Sequence, residues 1–281
     1  MTTRRDLFAW SALPFLAADC ALARSFAGDG YTPPPRSREL LARVHFDRAI
    51  RKGKKYADRF AKWDRHVGDR HDPSNCKGIY QIPTVSGKAA VFWESKMAVD
   101  TDGAKSIPGD TGGTHQSNTS LMFKDGKPID ALIVPYFVIP AIDLISKDPS
   151  HRKMFPAGPW EDSGDDFGQD FDLKLGTLGV VIFEDRITGA ILADTGPAMK
   201  IGEASIRVHE LIRGSRHPWK GPIPRQQLDP DDGQADKVLY FLFPNVVFDV
   251  EKFGSGDQGA MAEEIRSQGV ASFQAFLARQ G

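Results

Sequence analysis

Short apolar runs, each closed by glycine, proline or an acid, follow one another through most of this chain, and that rhythm confines it to a mainly β fold. The runs are Ala89 to Val99 (AAVFWESKMAV), Ile129 to Ile139 (IDALIVPYFVI), Leu178 to Phe183 (LGVVIF), Gly189 to Ala193 (GAILA) and Lys237 to Phe243 (KVLYFLF), with Ser205 to Leu211 a further candidate. They are rich in the β-branched and aromatic residues that suit a pleated sheet. Pro135 has no N–H to give a central ladder, so it predicts an edge or a break in its run. Glu184-Asp185-Arg186 reads as the hairpin turn between the strands on either side of it. Outside this region the apolar spacing turns helical. Leu40, Leu41, Val44, Ile50, Tyr56, Phe60 and Trp63 predict an amphipathic helix from Ser37 to about Arg65, broken near Gly53, and Met261 to Arg279 predict another. Strands in succession with a helix at each end argue for a β-barrel or compact sheet rather than alternating βαβ units.

Composition narrows the function classes. A chain of 281 residues with 41% hydrophobic content can build one sizeable core. Lys plus Arg number 36 against 37 Asp plus Glu, a net charge of -1, so no overall basic field exists to hold nucleic acid or an anionic membrane. The basic face of the first helix (Arg51, Lys52, Lys54, Lys55, Arg59) is read as a solvated face. Cys20 and Cys76 cannot make a disulfide framework, a four-cysteine zinc site or a CxxC pair. Arg4-Arg5 stand just before a modest apolar run, Phe8 to Ala18, which ends at Ala21-Leu22-Ala23. That is the pattern of a twin-arginine signal peptide over 1–23, and it predicts a secreted or periplasmic protein exported already folded. The run is far shorter than the ~20 residues of a spanning helix, so no membrane association is expected after its removal. Residues 24–36, ending in Tyr31-Thr-Pro-Pro-Pro-Arg36, read as a stiff linker, and 37–281 as a single, monomeric catalytic domain.

Metal and nucleotide signatures do not assemble. The 7 histidines include no H-E-x-x-H, and His209-Glu210 reads as a surface pair. Gly109-Asp-Thr-Gly-Gly-Thr114 lacks the G-K-[ST] of a phosphate loop. Asp100-Thr-Asp102-Gly103 and Asp229-Pro-Asp231-Asp232-Gly233 resemble fragments of calcium loops without the closing Glu, so turn chemistry accounts for both. Neither metal nor cofactor is expected. Carboxylates are more informative. Asp194 terminates the apolar run AILAD, and Glu203 follows beyond Thr195-Gly196-Pro197 and Gly202. Acids at the ends of apolar strands are poorly solvated, which favours their protonated form. Two carboxylates in unlike surroundings are what cleavage of a glycosidic bond requires, one to protonate the leaving oxygen and one to activate water or attack. Two acids that merely cap a turn are the alternative.

Three stretches resemble the fungal-type chitosanases of glycoside hydrolase family 75: Trp93 to Gly103 (WESKMAVDTDG), Val134 to Pro140 (VPYFVIP), and Leu178 to Phe183 continuing to Ala193 to Ile206 (ADTGPAMKIGEASI). The resemblance spans about Gly78 to Asn245. It implies that Asp194, in an ADT element, and Glu203, in a GEAS element, form the catalytic pair of an endo-acting, inverting hydrolase of β-1,4-linked glucosamine polymer. The segment Asp194 to Lys200 is also similar to an element of double-psi barrel proteins, among them expansin-like and lytic transglycosylase domains. A double-psi-like β-barrel core with flanking N- and C-terminal helices is therefore the expected fold. The basic helix at Ser37 to Arg65 and the loop Pro197-Ala-Met-Lys-Ile201 depart from the fungal pattern, which leaves substrate preference open.

Chitosan carries ammonium groups, so its cleft should be acidic and aromatic. Glu161 to Asp172 carries six acids and no Lys or Arg beside Trp160, Phe167 and Phe171. Trp160, Asp165 and Asp166 from this run, with Asp100, Asp102, Tyr136 and Lys200, are the candidate substrate contacts. Glu203, flanked by Ile201, Gly202 and Ala204, is expected to be the general acid and Asp194 the base. Two rivals remain. The barrel could bind wall polysaccharide without cutting it, and the two D-T-G triplets, Asp110 to Gly112 and Asp194 to Gly196, have the form of an aspartic peptidase pair.

Overall fold

The computed structural model describes residues 31–52, 78–83, 89–107, 115–141, 167–197, 201–219, 222–223, 227–228 and 237–280. Ten strands lie among them: β1 (Ile50–Lys52), β2 (Ile79–Pro83), β3 (Ala89–Ser95), β4 (Met97–Asp100), β5 (Tyr136–Ala141), β6 (Thr177–Phe183), β7 (Arg186–Pro197), β8 (Glu203–Ser205), β9 (Gln227–Leu228) and β10 (Val238–Val247). Three α-helices accompany them: α1 (Phe167–Asp170), α2 (Ile206–Arg213) and α3 (Gln258–Ala278). All ten strands join one mixed sheet in the order β1-β2-β3-β10-β6-β7-β5-β8-β4-β9. The β4–β8 and β5–β7 pairs are parallel.

This order forces the sheet to curl. β3 ends at Ser95 and β4 begins at Met97, yet they stand six places apart in the sheet. On a flat sheet six spacings span about 29 Å, whereas the two residues from 95 to 97 reach only about 7 Å. The strands therefore wrap until the chain itself bridges the gap at Lys96. The enclosed core draws apolar side chains from β2 through β10, including Trp93, Phe137, Val181, Leu192, Ala204, Leu228 and Tyr240. Hydrogen bonding does not complete the circle, because β1 and β9 are free ends among the described strands. The closed barrel expected from the sequence is not formed.

Two further clusters cover the outside. Tyr31, Leu41, Val44 and Phe46 pack with Tyr80, Phe92, Phe241, Phe273 and Phe276, over the outer face of β2, β3 and β10. Phe123, Ile129, Ala131 and Val134 pack with Tyr136, Val138, Ile191, Met261 and Ile265, over β5 and β7. Helix α3 contributes to both, as the spacing of its apolar residues predicts.

Several expectations are corrected. Residues 37–52 are not a helix: two short 3-10 turns (Pro35–Ser37 and Phe46–Arg48) and strand β1 occupy them, and 53–65 lie outside the described residues. The aromatic cluster dictates this, since Leu41, Val44, Phe46 and Ala49 all reach the core by following the sheet surface. Tyr31 to Arg36 is not a free linker either. Tyr31 is buried and its hydroxyl donates to Glu94 Oε1 at 2.7 Å. Ala89 to Val99 is two strands bent at Lys96, and Ile129 to Val134 forms a turn that precedes β5, which starts immediately after Pro135. Ser205 to Leu211 is mostly helix α2. Ser205 caps it, accepting from Val208 N–H, and Ile206, Val208, His209 and Ile212 bury one helical face. His209 is thus no surface residue: it is fully buried, its Nε2 bonds the Ala98 carbonyl at 3.1 Å, and burial holds it down to about 3. The hairpin turn stands where expected, with Phe183 paired to Arg186. Among the described residues no helix is long and apolar enough to cross a membrane.

Candidate active site

Sheet register brings the acids together. Val138 of β5 pairs with Asp194 of β7 on one side and with Glu203 of β8 on the other. Directly paired residues project to the same face, so both acids flank Val138 on one surface, backbones about 9.6 Å apart. That surface is the outer one: Val138 belongs with Tyr136 and Ala193 to the outer cluster, while Phe137 and Leu192 belong to the enclosed core. A bulge makes this possible. Leu192 pairs with Phe137 and Asp194 with Val138, leaving Ala193 as an extra residue. Strict alternation would bury Asp194 beside Leu192; the bulge puts Ala193 and Asp194 on the same side.

Strand β4 adds a third acid. Ala98 pairs with Glu203 and Asp100 with Ser205, so Asp100 lies two residues along on the same face. The β8 segment can lie this close because Gly202 (φ +81) sits against β4, where a Cβ would come within 2.2 Å of the Lys96 carbonyl oxygen. The chain then turns through Asp102, whose N–H donates to Asp100 Oδ1 at 2.8 Å. The Asp102 carboxylate accepts from Gln116 N–H at 2.8 Å. Glu203 leans over the Asp-Thr-Gly triplet: a Cβ on Gly196 would stand 3.4 Å from Glu203 Oε2.

Asp194 is held at a single oxygen. Its Oδ1 accepts from Ser120 N–H at 2.9 Å, Ser120 Oγ at 2.6 Å and Thr195 N–H at 2.7 Å. Segment 115–121 therefore braces two acids at once, through Gln116 and through Ser120. Nothing in the sequence marks Ser120 as functional, because its contact with Asp194 crosses 74 positions.

Crowded carboxylates with little solvent resist ionisation. Burial, then the charges of Glu203, Asp102 and Asp194, push Asp100 well above the usual carboxylate range. Burial raises Asp102 to about 6 against the pull of the Gln116 N–H and the His115 charge. Asp194 is raised by burial, with the Ser120 and Thr195 donors opposing. Burial is deepest at Asp100 and Asp194, each 6% exposed, while Glu203 is half-buried. The apolar neighbours invoked for Glu203 do not surround its carboxyl: Ala204 points into the enclosed core, as does Ile201.

Asp100 and Asp102 thus join the two expected catalytic acids. Tyr136 does not act as a substrate contact. It is fully buried, and its hydroxyl supports the acidic turn by donating to the Asp102 carbonyl at 3.0 Å. Phe167 and Phe171 fill the enclosed core rather than a cleft. Trp160, Asp165, Asp166, Lys200 and Asp110 lie outside the described residues. Oxygens of Asp100, Asp102 and Asp194 fall within 4.8 Å of one another. One cation can touch all three, and an ammonium group satisfies that spacing as well as a metal ion does. No protein-family model matches this chain, and no curated protein matches it either.

Proposed function

We propose that this chain is an endo-acting, inverting glycoside hydrolase that cleaves β-1,4 bonds in chitosan or a related amino-sugar polysaccharide. The observation that carries the reading is the convergence of Asp194, Glu203, Asp100 and Asp102 on one face of the sheet. Asp194 is the base: three donors on Oδ1 favour its anion and fix its direction. Glu203, two strands away, is the acid that protonates the leaving oxygen. The two acids stand on strands either side of β5, and inversion would require their carboxyls roughly 6.5–9.5 Å apart to admit a water. Asp100 and Asp102 attract the ammonium groups of the polymer. Each bound cation supplies the opposite charge that these acids lack, so binding favours their ionisation and releases protons. The parallel pairs β4–β8 and β5–β7 that frame the site support a double-psi-type arrangement of its strands. The twin-arginine start supports action outside the cytoplasm, as a monomer on polymer met there.

Incubating the protein with chitosan, chitin, peptidoglycan and cellulose, and measuring new reducing ends, tests the reading. Chitosan should yield the most, with the new end released as the α-anomer. Asp194→Asn and Glu203→Gln should each lower kcat by at least about 100-fold. An activated leaving group should rescue Glu203→Gln and leave Asp194→Asn inactive. Rescue of the wrong variant exchanges the two roles. Binding of chitosan without any reducing ends would instead identify a wall-polysaccharide-binding protein.

A further inference from the structure

Ser120 is exposed, yet it gives two hydrogen bonds to a buried acid. Its N–H and its Oγ both donate to Asp194 Oδ1, at 2.9 and 2.6 Å, and Thr195 N–H adds a third donor at 2.7 Å. An ionised carboxylate only accepts, whereas the Thr195 hydroxyl, 2.8 Å from the serine Oγ, can give its own proton, so the serine proton goes to Asp194. Three donors saturate the two lone pairs of Oδ1. Among the described residues no donor reaches Oδ2, which is therefore the oxygen left to take a proton. The serine is itself held in place. Leu121 N–H donates to the Ala193 carbonyl at 2.8 Å, and the buried Thr119 donates to the Leu121 carbonyl at 2.6 Å and accepts from Ile129 N–H at 3.0 Å. The other end of the segment is fastened to the acidic turn, where His115 Nδ1 donates to the Thr101 carbonyl at 2.9 Å and Gly103 N–H to the Gln116 carbonyl at 3.0 Å. Glu203 of β8, Asp100 of β4, Asp102 of the turn and the Tyr136 hydroxyl of β5 all lie close enough for their charges to act on Asp194 or feel it, and the His115 charge acts on Asp102. Burial and the neighbouring acids oppose the Asp194 anion, and the donors on Oδ1 favour it.

We propose that Ser120 is the positioning residue of the reaction: clamped by segment 115–121, its hydroxyl holds Asp194 as an oriented anion with Oδ1 occupied, so that Oδ2 alone serves as the base. The proposal rests on the glycosidase reading above. In the step, the water oxygen bonds to the anomeric carbon as the bond from that carbon to the leaving oxygen breaks. One water proton passes to Asp194 Oδ2, the other stays on the new hydroxyl, and the proton of Glu203 passes to the leaving oxygen. Ser120 touches neither water nor sugar in this step and acts only through Asp194. An exposed serine adds little to the core, so its removal should leave the fold standing while it changes the acid beneath.

Rate profiles against pH on a glucosamine hexamer test this with Ser120→Ala and Ser120→Thr. On the acid side Ser120→Ala should lower kcat roughly 10-fold or more with KM little changed. The deficit should narrow as pH rises, because Asp194 then ionises without help, and the acid limb of the profile should move to higher pH. Ser120→Thr keeps the hydroxyl and should restore both the rate and the limb. Carbon NMR of the Asp194 carboxyl reads the same effect without substrate: its titration should move to higher pH in Ser120→Ala. Melting curves confirm that each variant is folded, and Ser120→Cys, whose thiol is a weak donor, replaces the alanine variant if that one is not. An active wild type with Ser120→Ala within about twofold of it, a loss equal at every pH, a loss confined to KM, or a threonine variant as damaged as the alanine one overturns the assignment alone. A wild type that releases no reducing ends from any of the four polymers overturns the glycosidase reading. If the carboxyl titration still moves in Ser120→Ala, the hold of Ser120 on Asp194 survives that outcome; if it does not move, both fall.

Discussion

Asp102 illustrates how a single residue trades stability for function. Its pKa rises from 3.8 to about 6 on folding, so between those values the folded chain holds the proton more tightly than the unfolded one. The stability this lends is complete below about pH 4 and is lost as pH rises through 6. Asp100 and Asp194 shift in the same direction and extend the trend upward. Glu184, lowered by its His217, Arg36 and Arg216 partners, works the other way below its ordinary value of 4.5. Scanning calorimetry should therefore find a higher Tm near pH 5 than at pH 8. Asp102→Asn should flatten that slope and gain about 1–2 kcal/mol at pH 8 after allowing for solvent screening, while weakening chitosan binding. An unchanged slope would mean that Asp102 titrates normally. At this scale the sequence was partly legible. Asp194 announced itself as an acid ending an apolar run, and Asp100 and Asp102 as a turn. Ser120 did not, because nothing local distinguishes a serine that bonds a carboxylate from any other serine in a loop.

Between residue and fold stand the elements, and Ser205 is where three of them are tied. Its buried hydroxyl donates to the Val134 carbonyl at 2.8 Å and accepts the N–H groups of Tyr136 at 3.1 Å and Val208 at 3.3 Å. It thus joins the turn before β5, the first residue of β5 and the first turn of α2, two residues after Glu203. Ser205→Ala should cost about 2–3 kcal/mol by orphaning buried backbone groups and removing a cap. Denaturant melts check the cost, and lower activity under native conditions is expected from slack at Glu203. Helix α2 shows why element type was misread. Ile206-Arg-Val-His alternates like a strand, yet Ser205 before it and Gly214 after it are the start and stop signals of a helix. The bulge at Ala193 was hidden for another reason: an extra residue is defined by its partner strand, and the partner Val138 lies more than fifty positions away.

At the level of the whole molecule, the N-terminal segment is part of the fold. Tyr31 and Phe46 pack with ring centroids 4.7 Å apart, and Phe46 packs against Phe92 at 5.5 Å. Ser37 Oγ donates to the Glu184 carbonyl at 2.8 Å, and Arg36 pairs with the Glu184 carboxylate, fastening this segment to the β6–β7 hairpin. Phe46→Ala should destabilise by about 3–5 kcal/mol with the site around Asp194 intact in the protein that remains folded, as separate Tm and kcat measurements would show. Helical spacing misled at residues 37–52 because the sheet surface, not a helix axis, sets where those side chains must go.

The single residue between β3 and β4 has a kinetic consequence. Lys96 joins neighbours in sequence that lie at distant places in the sheet, so although β3 can pair with β2 beside it, the circuit from β3 to β4 cannot close until β10, β6, β7, β5 and β8, all encoded downstream, have arrived between them. Local nucleation cannot complete such a circuit. Refolding from denaturant should be slow, on the seconds end of the range for chains dominated by distant pairings, and intermediates should expose the half-assembled rim to aggregation until the final strand is seated.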